Sequence, residues 1–264
     1  MIQNGKRRRH REGTSERRLL QLAGNPSTIE EAVRIIVADL LQDMSAPPTD
    51  LESLKPKLNI ADFSPEDIPF SGELRREGKH LKIVYSKHLT DDRRRFTIAH
   101  EIGHAIFERT GRNCPRSGAE IEKLCDMLAA EILMPKDAFL ERAGSTVSLE
   151  TLFELKKTFQ VSLLAVAFRC FELKRASTFE LDDDKQVRWG CGLIKPGSLR
   201  LADSGLQLAI EEAFGKPSGV MEVFFSDMGA TQRGELEWSK KYRTGTLFLL
   251  RRNSNKRLAV TSPY

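Results

Sequence analysis

The chain has 264 residues, 40% apolar and 30% charged, the composition of a globular protein with enough material for one large domain or two to three small ones. It contains no apolar run long enough to cross a membrane, and the N-terminal MIQNGKRRRHREGTSERR is followed by no apolar stretch, so it does not read as a secretory signal. The net charge of +5 equals the five Lys and Arg within residues 6–11, so the remainder is close to neutral. With no aromatic residue interleaved, that arm reads as a solvated, disordered tail rather than a nucleic-acid surface. The four cysteines, Cys114, Cys125, Cys170 and Cys191, form no CxxC pair, which points to reduced thiols in a cytoplasmic protein.

Residues 1–24 are expected to be disordered, with a break at Asn25-Pro26. A helix follows, capped by Ser27 or Thr28, with Glu30 and Glu31 in its first turn and Ile29, Val33, Ile36 and Leu40 at helical spacing. Residues 45–69, rich in Pro, Asp and Ser, read as loop. FSGELRREGKHLKIVYS predicts a β-hairpin: a strand to Leu74, a turn around Glu77-Gly78, and a second strand through Leu81, Ile83 and Tyr85. LTDDRRRFTIAHEIGHAIFERTGR is the clearest helix, started by Thr90 or Asp91 and stopping near Gly111. A second long helix runs through GAEIEKLCDMLAAEILMPKDAFLERAG, closed or kinked by Pro135 and ending near Gly144. SLETLFELKKTFQVSLLAVAFRCFELKRA predicts helix, turn, helix, with Ser148 and Ser162 as N-caps. Beyond about 180, VMEVFFS and GTLFLLRR read as strands.

His100-Glu101-Ile102-Gly103-His104 is an HExxH motif on a helix. Positions i and i+4 share one face, so both imidazoles can bind one Zn²⁺ while Glu101, beside the first, reaches an attacking water as general base. Phe96, Ile98, Ala99, Ile102, Ala105, Ile106 and Phe107 make the helix apolar around most of its circumference, which argues for a central, buried position. Buried His and Glu without a cation would be costly polar groups. A catalytic zinc takes three protein ligands and keeps one position open. Glu122 on the next helix is the first choice for the third, with Glu131 as the alternative and Glu120 a weaker one. Asp126, one turn beyond Glu122, is placed to hydrogen-bond a ligand imidazole. Cys114 and Cys125 are soft donors without a partner at metal-binding spacing and read as buried structural thiols. Tyr85 and His88 are candidate oxyanion donors, and the strand Leu81–Tyr85 is a candidate edge for an extended substrate.

RRRFTIAHEIGHAIF followed by EKLCDMLAAEILMP resembles the ImmA/IrrE family of bacterial metallopeptidases. Members commonly show RxxFTxAHExGH and then ExxAN-x-FAxxLLMP; here Cys125-Asp126 stands where Ala-Asn is usual, while Ile132-Leu133-Met134-Pro135 matches the end. The ExxxD spacing also resembles that of gluzincins. The resemblance covers roughly residues 27–172 and implies a narrow zinc endopeptidase that cleaves a helix-turn-helix (Xre-like) repressor, derepressing stress-response or mobile-element genes. In the IrrE branch a GAF-like domain follows.

The second helix of the 148–170 pair opens Ser-Leu-Leu-Ala-Val-Ala, too apolar for a DNA-reading helix, so packing or substrate-gripping is the favoured reading and direct DNA contact the disfavoured one. Cys191, in Trp-Gly-Cys-Gly, reads as an inert thiol. The expected fold class is α+β: a disordered arm over 1–24, a zincin-like peptidase domain over 25–145, a helix-turn-helix-like extension over 146–176, and a small C-terminal α/β module, GAF-like or not, over 180–264. The rival reading is a non-catalytic zinc-containing regulator that binds DNA or a partner, such as a toxin–antitoxin component. A purely structural metal would not need Glu101 beside its ligand and would favour four closed ligands.

Overall fold

The computed structural model describes residues 14–42, 44, 47–109, 118–191, 204–227, 230–240 and 245–252. The chain is α+β and divides into two compact units, Met1–Lys136 and Asp137–Tyr264. The division falls at the Pro135 break in the second long helix, nine residues before the boundary expected at 145, because that break ends one unit's last helix and starts the other's first.

In the first unit, a three-stranded sheet has the order β1-β3-β2, from β1 (Ile60–Glu66), β2 (Gly72–Glu77) and β3 (His80–Ser86). The β2–β3 hairpin turns at Gly78, whose φ of 62° lies in the left-handed region that glycine enters without strain. β3 pairs with β2 antiparallel and with β1 parallel, so it is the central strand. Two expectations are thereby corrected. Residues 45–69 are not simply loop: they hold a 3₁₀ turn (Glu52–Leu54), α3 (Lys55–Leu58) and β1. The strand Leu81–Tyr85 is not an edge either; the edges are β1 and β2. Strand β1 pairs only with a partner twenty residues away, and its Ser, Pro and acidic content hides the period-2 pattern.

Helix α2 (Ile29–Leu41) starts where Thr28 accepts the amide of Glu31, and buries Ala32, Val33, Val37 and Leu40. Helix α4 (Asp91–Glu108) packs on β2 and β3 and against α5 (Ala119–Leu133). It buries Ile98, Ala99, Ile102, Ala105, Ile106 and Phe107, as its nearly all-round apolar surface predicts. The N-terminal arm needs correction. Thr14–Leu22 is a helix, α1, with Leu19 wholly buried, and the Glu120 carboxylate accepts the amides of Ser15 (3.0 Å) and Glu16 (2.9 Å). A cap supplied from more than a hundred residues away leaves no local signal. Residues 1–13, with the basic run, lie outside the described residues.

The second unit begins with α6 (Lys136–Ala143), its opening residue closing the first unit, and continues with α7 (Leu149–Phe159) and α8 (Leu163–Glu172). Ser148 and Ser162 cap the last two, accepting the amides of Thr151 and Ala165. A five-stranded antiparallel sheet follows, in the order β5-β4-β8-β7-β6, from β4 (Ser177–Leu181), β5 (Val187–Cys191), β6 (Ser218–Asp227), β7 (Ala230–Ser239) and β8 (Thr246–Arg252). Helix α9 (Ser204–Phe214) packs beside β6, and Phe179, Ile210, Leu236, Trp238 and Phe248 share its core. The helical pair and this sheet fall in the same compact unit.

Candidate metal centre

One turn of α4 presents His100 and His104 on the same face, their ring centroids 5.1 Å apart. What they meet depends on how closely α5 approaches. Gly103, between them in sequence, lies at the contact: a Cβ there would stand 3.0 Å from Cys125 Cα and 3.1 Å from Cys125 Cβ. A mid-helix glycine costs about 1 kcal/mol relative to alanine; here it lets the two backbones come together. The approach carries Glu122 and Asp126, one turn apart on α5, up to the imidazoles. Glu122 Oε2 lies 3.1 Å from His100 Nε2 and Glu122 Oε1 3.6 Å from His104 Nε2. Asp126 Oδ1 lies 2.8 Å from His100 Nδ1.

These contacts fit a cation. With its Nδ1–H donated to Asp126, a neutral His100 turns the Nε2 lone pair toward the Glu122 carboxylate, an acceptor facing an acceptor. A proton or a metal ion between them resolves the conflict. Burial alone would lower the His100 pKa, but the Asp126 and Glu122 carboxylates outweigh it and raise the net value. His104 moves the other way, lowered by burial and by the charge on His100.

Glu101 lies against β2, near Gly72, and is only 8% exposed. Burial pushes its carboxyl up to about 7; His100 opposes this, Glu122 adds to it, and a hydrogen bond from the Leu74 backbone amide opposes it again. The edge strand that brings Leu74 there lies tight on α4. A Cβ at Gly72 would collide with Thr97 Cγ2 and sit 3.6 Å from Glu101 Cγ. β2, α4 and α5 together line a cleft of about 350 Å³ containing Glu101, His104, Glu122, Leu74, Arg75 and Arg76.

The other candidates fall elsewhere. Glu131 is buried at the far end of α5, nine residues from Glu122 and so about 13 Å along the helix, where it accepts the Lys136 amide at 2.9 Å. Glu120 caps α1. His88 is exposed and bonds to Asp67 at 3.2 Å, and neither it nor Tyr85 lines the cleft. Cys114 lies outside the described residues. Cys125, read from sequence as a structural thiol, is placed beside the His pair: its sulfur and one nitrogen of each imidazole lie within 4.8 Å of one another. Arg75, Arg76, Gly72 and the Leu74 amide carried no local signal; only the pairing of β2 beside α4 brings them to the site.

An HExxH helix facing a carboxylate from the next helix, with a buried glutamate beside the first imidazole, defines a metallopeptidase-type centre. Residues 51–171 match the family described as the IrrE N-terminal-like domain of the Peptidase_M78 group. A stretch of 106 residues is 35% identical to the radiation response metalloprotease IrrE of Deinococcus radiodurans, covering 36% of this chain and 32% of that protein. The chain thus aligns with about a third of the length of that relative. The solved structure of a Mycobacterium tuberculosis transcriptional regulator, 14% identical, superposes over 90% of this chain and 80% of its own with a TM-score of 0.52, a likeness of fold. Residues 51–171 are thus similar to the peptidase domain of the ImmA/IrrE family. Among the described residues no helix is long and apolar enough to cross a membrane.

Proposed function

We propose that this protein is a zinc-dependent endopeptidase that cleaves a helix-turn-helix repressor of the Xre-like type, releasing stress-response or mobile-element genes. The observation that carries the catalytic reading is the buried Glu101 carboxyl in one cleft with His104 and Glu122. His100, His104 and Glu122 would hold the ion, and Asp126 would orient His100. Bound there, Zn²⁺ supplies Lewis-acid polarisation of the scissile carbonyl and acidifies an attacking water. Glu101 takes the proton from that water and delivers it to the leaving amine. β2, an edge strand beside α4, offers backbone groups to an extended substrate. The repressor as substrate rests on the family resemblance, and the radiation-response role in the relative's name accords with a stress function.

In this reading α7 and α8 grip protein rather than DNA. The exposed side chains of α8 include Leu164, Phe168 and Phe171, while Arg169 is buried and paired with Glu172 at 2.8 Å. The sheet of the second unit serves as a GAF-like sensing module, supported by its antiparallel strands and the packing of α9.

The test is co-expression of wild type and Glu101→Gln with a candidate Xre-like repressor, sought by sequencing the neighbouring reading frame. Repressor size is followed on a gel and zinc is measured in the same samples. The amide keeps the shape and the metal but cannot take the proton, so cleavage should fall by about 10²–10⁴-fold. Equal cleavage by the variant would remove Glu101 as the base. Tight binding without cleavage by wild type would favour the non-catalytic regulator.

A further inference from the structure

One end of the cleft is not used by the catalytic residues. Glu101 and Glu108 are two turns apart on α4, so they share a face and stand about 10 Å apart along the helix. β2 runs beside them, and its alternate residues meet α4 in turn. Gly72 packs on Thr97, the Leu74 amide bonds to Glu101, and Arg76 forms an ion pair with Glu108. Leu74 therefore marks the level of the chemistry, and Arg76 the level one side chain further along the same face. The walls there are apolar. Leu81 lies opposite Arg76 in the sheet, Phe107 adjoins Glu108 on the helix, and Ile121 lines the same cleft; all three are buried. The ion pair is lopsided: the Glu108 side chain is 23% exposed on a packed helix, that of Arg76 49% exposed on an edge strand. A solvent-screened pair of this kind adds little stability, so Arg76 can turn out to water at small cost while the carboxylate stays in place.

Resting on the peptidase reading above, we propose that Glu108 is a specificity residue that binds a basic side chain of the substrate, the incoming Lys or Arg taking the place of Arg76. In an extended substrate added to the β2 edge, the residue opposite Arg76 shares its face and so points toward Glu108. Its methylenes cover Leu81 and Phe107 while its charged head reaches the carboxylate, the split between apolar stem and polar tip that long basic side chains favour. An acidic side chain there would be brought beside a like charge. The preferred substrate therefore carries Lys or Arg at one fixed position, within two residues of the cleaved bond.

Digestion of a proteome-derived peptide library by the zinc-loaded full chain, with cut sites mapped by mass spectrometry, tests this. Wild type should enrich Lys and Arg at one position within two residues of the cut. For a cleaved peptide made with lysine or norleucine at that position, kcat/KM should favour lysine by about 10–100-fold, the range of a hydrogen bond to a charged group. Glu108→Gln should bring that ratio close to one. Arg76→Ala, which removes the competing guanidinium, should raise it through a lower KM for the lysine peptide, and this second variant keeps the proposal falsifiable if Glu108→Gln does not fold. Cleavage without a basic preference, a preference that survives Glu108→Gln, or an acidic preference lost in Arg76→Ala overturns the role of Glu108 and leaves the peptidase reading intact. No cleavage of any peptide by the zinc-loaded chain overturns the peptidase reading itself, and this assignment with it.

Discussion

Replacing Glu101 by glutamine should stabilise the metal-free protein, by an amount that depends on pH. The Glu101 carboxyl is 8% exposed, and burial, the largest influence on it, raises its pKa from 4.5 to about 7 in the folded chain. The folded state therefore holds this proton through a range in which the unfolded state releases it. The stability this contributes is fully present below pH 4.5 and is lost as pH rises through 7. Above pH 7 the ionised carboxylate must stay in its buried position, at a cost of about 3 kcal/mol for a shift of this size. Glutamine is neutral throughout and can still accept the Leu74 amide. Urea unfolding in the presence of a chelator should thus find the two proteins equal near pH 4, with the variant about 3 kcal/mol more stable at pH 8. The probe is far-ultraviolet circular dichroism, because both tryptophans, Trp189 and Trp238, belong to the second unit. Saturating zinc should abolish the difference, since a divalent cation beside the carboxylate favours its charged form. A pH-independent difference, or a variant less stable at pH 8, would refute the account of Glu101 as a carboxyl held protonated by burial.

Asp126→Ala removes the partner of His100 Nδ1, so zinc affinity should fall about 10–100-fold in a competition titration while the fold is kept. Gly103→Ala gains helix propensity but pushes a methyl against the Cys125 backbone; the net should be a loss of about 1–3 kcal/mol, with weaker zinc binding as α5 moves away from the imidazoles. Glu120→Ala should leave zinc content unchanged, unlike Glu122→Ala, and cost about 1 kcal/mol by uncapping α1, seen as faster amide exchange at Ser15 and Glu16.

His100, Glu101 and His104 are legible in the sequence as one cluster because a single helical turn sets their spacing, and local geometry needs no partner. For the same reason the β2–β3 hairpin with Gly78 at its turn, the Ser148 and Ser162 caps and the break at Pro135 could be read directly. Glu122 and Asp126 were reachable as a pair, since their spacing shows that they share a face, but their distances to the imidazoles depend on Gly103 admitting the α5 backbone. Elsewhere nearness in sequence misled: Glu131 shares a helix with Glu122 yet lies at its far end, and Tyr85 and His88 precede α4 without lining the cleft. Strand β1, the Glu120 cap, the Leu74 amide on Glu101 and the sulfur of Cys125 beside the His pair belong to the tertiary structure alone. Each is a meeting of segments joined by strand pairing or helix packing. No periodicity within one segment encodes which surface it will face.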